Sequence, residues 1–403
     1  MTGTGRSVAR QMLSGWRAAA DRSRRAGEID TDSQELRGFV AATPLRDVLM
    51  SGLTLNASDW HIREGRPVAF RVSGEIVNHK FVPSRDFLKQ VMKVIVDESA
   101  ITKFRESGDV DFAMEEEGVG RFRVNVHQQR GKISMTLRHV KTQIPTVKQL
   151  ELPEILLRLS EAKDGIVFVT GATGSGKSTT LACMIQHINE TTRKHIITIE
   201  DPIEYDFEDK RCVMEQREVG LDTVSFDSAL RHSLRQDPDV IVVGELRSRD
   251  SFESALAAAE TGHLVMTTLH TNTAAQAVGR ILDFYPFEER DAVRKSLSAN
   301  LRAIVCQKLV PRRDGRGLVP INEILINTPI VSNLIVADKL NKLDAVICAD
   351  GEEGMLSFNQ ALFGRIKDGS ISEEVGLKFA PNPDGLKMNL SGVFLNESSG
   401  IIA

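Results

Sequence analysis

Apolar positions show no sustained period over the first forty residues and then fall into two contrasting regimes. In the first regime, TPLRDVLMSGL carries a threonine cap followed by apolar residues at helical spacing, which predicts a helix. ASDWHIREGRPVAFRVSGEIV predicts two short strands, with Gly65-Arg66-Pro67 between them and Ser73-Gly74 turning at the end. Phe87, Val91, Val94 and Ile95 recur at helical spacing across 85–105, and VDFAMEEEGVGRFRVNVHQQRGKISMTLRHV alternates between glycine breaks like an antiparallel meander. Residues 43–140 are therefore expected to form a small α+β domain. IPTVKQLELPEIL, with two prolines and little pattern at its start, places a linker at 141–154.

The second regime replaces alternation with continuous apolar runs. GIVFVTG, HIITIED, DVIVVGE and HLVMTTLHT are separated by helical stretches KSTTLACMIQHINE, FDSALRHSLRQDP and RDSFESALAAAETG. Unbroken apolar strands between helices are the pattern of parallel strands buried on both faces, so residues 155–375 predict an α/β sheet with right-handed crossovers. TAAQAVGRILDFYP and FEERDAVRKSLSANLRAIVCQKL read as further helices. From Val310 a glycine-containing hairpin signal mixes with short helices, and 376–403 is expected to be a tail.

Composition excludes several classes. The chain has 403 residues, with 51 Lys+Arg against 55 Asp+Glu, a net charge of −4 that gives no reason to expect nucleic acid as partner. No apolar run approaches the ~20 residues that span a bilayer. The start lacks the apolar core of a secretory signal. Residues 1–25 hold six arginines and one aspartate, so 1–42 is expected to be a flexible basic extension, solvated or touching acidic lipid or a partner. Cys183, Cys212, Cys306 and Cys348 form no CxxC, which fits reduced thiols and argues against a sequence-local zinc site.

Gly171-Ala172-Thr173-Gly174-Ser175-Gly176-Lys177-Ser178-Thr179 matches GxxxxGK[ST] between an apolar strand and a helix. Its glycines let backbone N–H groups curl around phosphates at a helix N-terminus. Lys177 would reach the β- and γ-phosphates of ATP, and the Ser178 hydroxyl would ligate Mg²⁺. Asp239-Val-Ile-Val-Val-Gly-Glu245 ends an apolar strand in a carboxylate, a position close to metal and attacking water in such a sheet. Glu200-Asp201-Pro202-Ile203-Glu204 crowds three carboxylates at another strand end, either as a charged turn or with one acting as general base. His263 and His270 flank the next strand, and a γ-phosphate sensor, an interface contact and an ordinary loop histidine are all open for them. Arg121, Arg123, Arg130 and Arg138 lie in the meander, either as a solvated face or as positive charge offered to phosphate across a boundary.

Taken in order, GATGSGKST, ITIEDPIE, LRQDPDVIVVGELR and TGHLVMTTLHT resemble the ATPases of the type II/IV secretion superfamily, and among them the type IV pilus retraction motors. ASDWHIREGRPVAFRVSGEI, GVGRFRVNVHQQRG and VMEQREVG extend the resemblance over about 43–375. It implies a PAS-like domain followed by a RecA-like P-loop ATPase domain, assembled as a homohexamer with ATP between subunits. It makes Glu204 the catalytic base, Glu245 the Walker B glutamate near Mg²⁺, and His270 the histidine-box residue with His263 beside it. Arg123 and Arg138 fall where the family has arginines that reach the nucleotide. The implied work is ATP-driven pilus retraction by disassembly, from the cytoplasmic side of the inner membrane, against a membrane platform protein and with a paralogous retraction ATPase as a further partner. Assembly or type II secretion ATPases are the alternative, as is an accessory ATPase. Those exporters carry a longer N-terminal region and a tetracysteine element, whereas here 170 residues precede Gly171 and no CxxC exists. Two departures stand out. Ser248 follows Glu245-Leu246-Arg247 where the family signature has an aspartate, and only Asn333-Leu334-Ile335 survives of a motif linked to retraction.

Overall fold

The computed structural model describes residues 44–72, 74–96, 98–349 and 354–393. The basic extension expected over 1–42 and the end of the expected tail lie outside the described residues. The chain divides into two compact units, Met1–Val140 and Lys141–Ala403.

In the first unit, helix α1 (Pro44–Thr54) precedes strands β1 (Ala57–Arg63), β2 (Ala69–Val72) and β3 (Glu75–Asn78). Helices α2 (Arg85–Ile95) and α3 (Glu98–Ser107) follow, then β4 (Asp109–Glu116), β5 (Gly120–Gln129) and β6 (Lys132–His139). The six strands form one antiparallel sheet in the order β3-β2-β1-β6-β5-β4. Two strands were expected before α2 and three are present, because the chain pairs again immediately beyond the Gly74 turn. Period-two alternation sends Trp60, Ile62, Phe122, Val124, Leu137 and Met135 to a buried face. Trp60 packs edge-on against Phe122 at 5.3 Å and Phe70 at 6.1 Å, and its Nε1 donates to the Val48 carbonyl at 3.2 Å. Gly52 of α1 approaches this indole so closely that a side chain there would meet the ring.

The second unit is built on a seven-stranded sheet. It contains α4 (Ile155–Ser160), β7 (Gly165–Thr170), α5 (Lys177–Thr191), β8 (His195–Glu200), β9 (Val213–Glu218) and α6 (Phe226–Ser233). It continues through β10 (Val240–Val243), α7 (Arg249–Glu260), β11 (Leu264–Leu269), α8 (Ala274–Leu282), α9 (Arg290–Asn300), β12 (Leu301–Pro311) and β13 (Leu318–Ile326). Helices α10 (Pro329–Val336), α11 (Leu343–Ala349), α12 (Phe358–Lys367), α13 (Glu373–Phe379) and α14 (Pro383–Leu390) complete it. Strand order is β13-β12-β7-β11-β10-β8-β9, parallel throughout except for β13. Alternate side chains serve two cores. Val167, Val169, Val240, Val242 and Met266 pack toward α5, while Ile166, Phe168, Ile241, Val243 and Val265 pack with α7 and α8. Each such fully buried side chain contributes ~1.5–3 kcal/mol relative to exposure.

Three expectations are corrected. Leu301–Pro311 is a strand rather than the end of a helix, because its unbroken apolar run pairs beside β7 and is buried there. Residues 141–154 are not a free connector, since Val147 and Leu152 enter the α5-side core. Within the described part of the expected tail, Glu373–Phe379 and Pro383–Leu390 are helices, and Leu386 is fully buried.

A Cβ added at Gly52 would sit 2.3 Å from the Trp60 ring. Helix propensity favours alanine over glycine by ~1 kcal/mol, whereas overpacking costs ~1–3 kcal/mol and the indole is buried with nowhere to shift. Gly52→Ala is therefore expected to destabilise the first unit, read as an earlier denaturant midpoint of Trp60 fluorescence. A later midpoint would mean that the helix gain wins.

Candidate functional site

Strand β7 is buried along its whole length, and its chain emerges at Gly171. From there Gly171, Gly174 and Gly176 take φ values of +149°, +79° and +86°, which a side chain would strain. This backbone leads into α5 at Lys177, so the loop wraps the N-terminus of a fifteen-residue helix. Lys177 is only 8% exposed, and its Nζ donates to the Gly171 carbonyl at 2.9 Å and the Ala172 carbonyl at 3.1 Å. Burial lowers its pKa, opposed by the negative charges of Glu245 and Glu204. The next two hydroxyls diverge. Thr179 Oγ1 bonds Tyr205 Oη at 3.0 Å, whereas Ser178 lines the cleft.

The acidic groups arrive from the same edge of the sheet. Glu245 follows β10, His270 follows β11 and Glu204 follows β8, and all three line the cleft with Thr173, Gly174, Lys177 and Ser178. Glu245 is half-buried between Arg247 and His270: Arg247 Nη2 lies 2.8 Å from one carboxylate oxygen and His270 Nε2 3.3 Å from the other. Burial opposes its ionisation, but the Arg247 hydrogen bond and the charges of His270 and Arg247 outweigh it and hold the carboxyl below its ordinary range. Glu200 shows the reverse. It is half-buried at the end of β8, and desolvation there pushes its pKa up despite hydrogen bonds from Thr198 Oγ1 at 2.7 Å and Gln216 Nε2 at 3.1 Å. Its second oxygen accepts the Glu204 N–H at 3.3 Å, so it anchors the loop that presents Glu204. That loop is also held from outside the sheet. The Lys141 carbonyl accepts the Asp206 N–H at 2.9 Å, and the Lys141 N–H points to the Glu204 carbonyl at 3.4 Å.

Of the remaining expected residues, His263 does not line this cleft. His263 lies at the opposite end of β11, where its Nδ1 bonds the Ala258 carbonyl at 2.9 Å and closes α7; it is not part of the site. The strand separates it from His270 by its full length, so the two flank one element without sharing a face of the cleft. Arg123 and Arg138 belong to the first unit, directly opposite each other across β5 and β6. Arg138 pairs with the buried Asp59 at 2.8 Å. Ser248, where the family pattern has aspartate, caps α7 by accepting the Ser251 N–H, a task either residue performs well. Arg247 and Tyr205 have no role assigned from sequence, and Glu200 is read there only as one of three carboxylates that could supply a base. Of the first two only Arg247, two residues past a strand-end glutamate, carries a readable signal.

Glu245 keeps its negative charge down to acidic pH and loses it as pH falls through its depressed pKa. Removing Arg247 leaves burial less opposed, so Arg247→Ala should move the acid limb of the ATP turnover profile to higher pH. An unmoved limb would separate Glu245 from the rate.

The Type II/IV secretion system protein family matches residues 37–335 of this chain. The type IV pilus ATPase PilU of Pseudomonas aeruginosa is 43% identical over 332 residues, covering 82% of this chain and 87% of PilU. The type IV pilus retraction ATPase PilT of the same species is 40% identical over 343 residues, covering 84% of this chain and 99% of PilT. A crystal structure of the pilus retraction motor PilT with bound ADP superposes with a TM-score of 0.78 at 44% identity, over 85% of this chain and 98% of that one. That structure matches both the antiparallel sheet and the mostly parallel one. With the family match and relatives at this level, the chain belongs to the Type II/IV secretion system protein family, as an ATPase like PilT and PilU.

Proposed function

We propose that this ATPase is a homohexameric motor that retracts type IV pili by driving their disassembly, acting on a platform protein from the cytoplasmic face of the inner membrane. The observation that carries the reading is the single cleft that gathers Lys177, Ser178, Glu204, Glu245 and His270 at one sheet edge. In this reading the second unit is the RecA-like ATPase domain and the first the PAS-like domain. Lys177 leaves its loop carbonyls for the terminal phosphates. Glu204, held by its backbone to Glu200, takes the proton of the attacking water. Glu245 fixes charge near the γ-phosphate, and His270, hydrogen-bonded to it, senses that phosphate. Arg123 and Arg138 supply positive charge from another domain or subunit.

Among the described residues no group of three His, Cys, Asp or Glu side chains could hold a metal. A hydroxyl, a nearby carboxylate and phosphate oxygens are nonetheless the hard-oxygen donors that Mg²⁺ prefers, and Ser178 and Glu245 provide the first two. Bound there, Mg²⁺ would neutralise charge developing on the β- and γ-phosphates.

A second reading, an accessory ATPase working beside a paralogous retraction motor, is favoured by the 43% identity to PilU. An exporter role has less support, since the four cysteines are separated and three are buried. Deleting the gene in its host separates the three. Excess surface pili without twitching support retraction, loss of pili supports assembly, and intact twitching that fails only when a paralogue is also weakened supports the accessory role.

Two variants test the chemistry. Lys177→Ala should abolish hydrolysis and weaken ATP binding, and full turnover would remove the P-loop from the mechanism. Glu204→Gln should bind ATP and lose most turnover, because the amide keeps the shape but cannot accept a proton. Should Glu204→Gln turn over normally while Glu245→Gln is inactive, Glu245 takes the role of base.

The ring has its own test. Loss of an arginine that acts as a finger costs ~10³-fold or more in kcat. Arg123→Ala subunits mixed into wild-type rings should depress activity beyond dilution. A linear mixing curve would place Arg123 outside the trans role, and a fully active monomer in sedimentation would end the ring proposal.

A further inference from the structure

Strand β12 outruns β7. Its pairing with β7 ends at Cys306 opposite Thr170, while its pairing with β13 continues to Pro311. The overhang begins at Gln307, which thus lies beside the phosphate-binding loop instead of beside a strand. Gln307 is 2% exposed and makes three side-chain hydrogen bonds. Its Nε2 donates to the Ser175 carbonyl at 2.7 Å. Its Oε1 accepts from Thr180 Oγ1 at 2.8 Å and from Asn322 Nδ2, its cross-strand partner on β13, at 3.1 Å. The Ser175 carbonyl can only accept, so the amide orientation is dictated.

These contacts span the corner at which the loop becomes α5. A peptide is planar and trans, so its C=O and N–H point opposite ways. Drawing the Ser175 carbonyl toward β12 turns the Gly176 N–H away from β12. Two of the loop's glycines face the same residue. A Cβ at Gly171 would sit 2.4 Å from the Gln307 carbonyl oxygen, and one at Gly176 would sit 2.8 Å from Gln307 Nε2. The loop therefore uses glycine partly to admit this glutamine.

We propose that Gln307 is a positioning residue for nucleotide: through Ser175 and Thr180 it sets the 175–176 peptide so that the loop's N–H groups face the phosphates. The proposal rests on the assignment of ATP to this loop. The test is ADP binding by calorimetry, from mildly acidic to mildly alkaline pH, on the full chain with Gln307→Leu and Gln307→Glu, each expressed as a ratio to wild type. Gln307→Leu should bind ~10- to 100-fold more weakly at every pH, as expected for a lost buried hydrogen-bond set. Gln307→Glu has the same shape. Protonated, its carboxyl O–H can donate to Ser175; ionised, it presents an oxygen to that carbonyl. Its ratio should therefore approach one at low pH and fall as pH rises. Ratios near one for both variants at all pH would overturn the proposal, as would a Gln307→Glu defect independent of pH. Should Gln307→Leu fail to fold, the Gln307→Glu series decides alone. Wild-type binding in the same series keeps the two failures apart, since absence of wild-type ADP binding would count against the loop assignment itself.

Discussion

A parallel strand buried on both faces has room for polar chemistry only where its chain leaves the sheet. In this molecule that one constraint places the whole site. β7, β8, β10 and β11 run in the same direction, so Lys177, Glu204, Glu245 and His270 are all delivered to one edge although almost a hundred residues separate the first from the last. The apolar packing of Ile, Val and Phe side chains on both faces is thus also what brings these polar side chains together.

The same edge treats its carboxylates unequally. Glu245 is flanked by Arg247 and His270, which hold its carboxyl below the ordinary range, whereas desolvation pushes that of Glu200 up. One carries charge next to the nucleotide loop. The other works as structure, accepting hydrogen bonds from Thr198, Gln216 and the backbone of Glu204. Residue type alone does not distinguish them; desolvation and neighbours do.

Much of this was legible along the chain for a simple reason. The phosphate-binding loop is contiguous, and its glycines, lysine and hydroxyl each have a local task. Glu245 stood out because a carboxylate ends its apolar run, whereas Glu204 was picked from the three carboxylates of its turn by the family resemblance. The strand Leu301–Pro311 was misread because its apolar run follows a helix directly, and only pairing with β7 settles its conformation. His263 was grouped with His270 by nearness in sequence, although a six-residue strand carries its two ends far apart. Gln307 left no trace, since its partners Ser175 and Thr180 lie more than a hundred residues away. Arg123 and Arg138 are polar positions on an alternating sheet, and alternation reports a face without reporting its use.

The segment after Val140 has a mechanical meaning. Val140 is bonded to Arg121 of the first unit, and the very next residue, Lys141, is bonded to the Glu204 loop. Residues further along are committed as well: Val147 and Leu152 are buried, and Glu151 is gripped by Arg312 and by Arg365 at 2.9 Å. The segment is thus committed to the second unit from its first residue. Its first residue braces the loop that carries the proton acceptor proposed for hydrolysis, and its later residues fix that brace to the body of the unit.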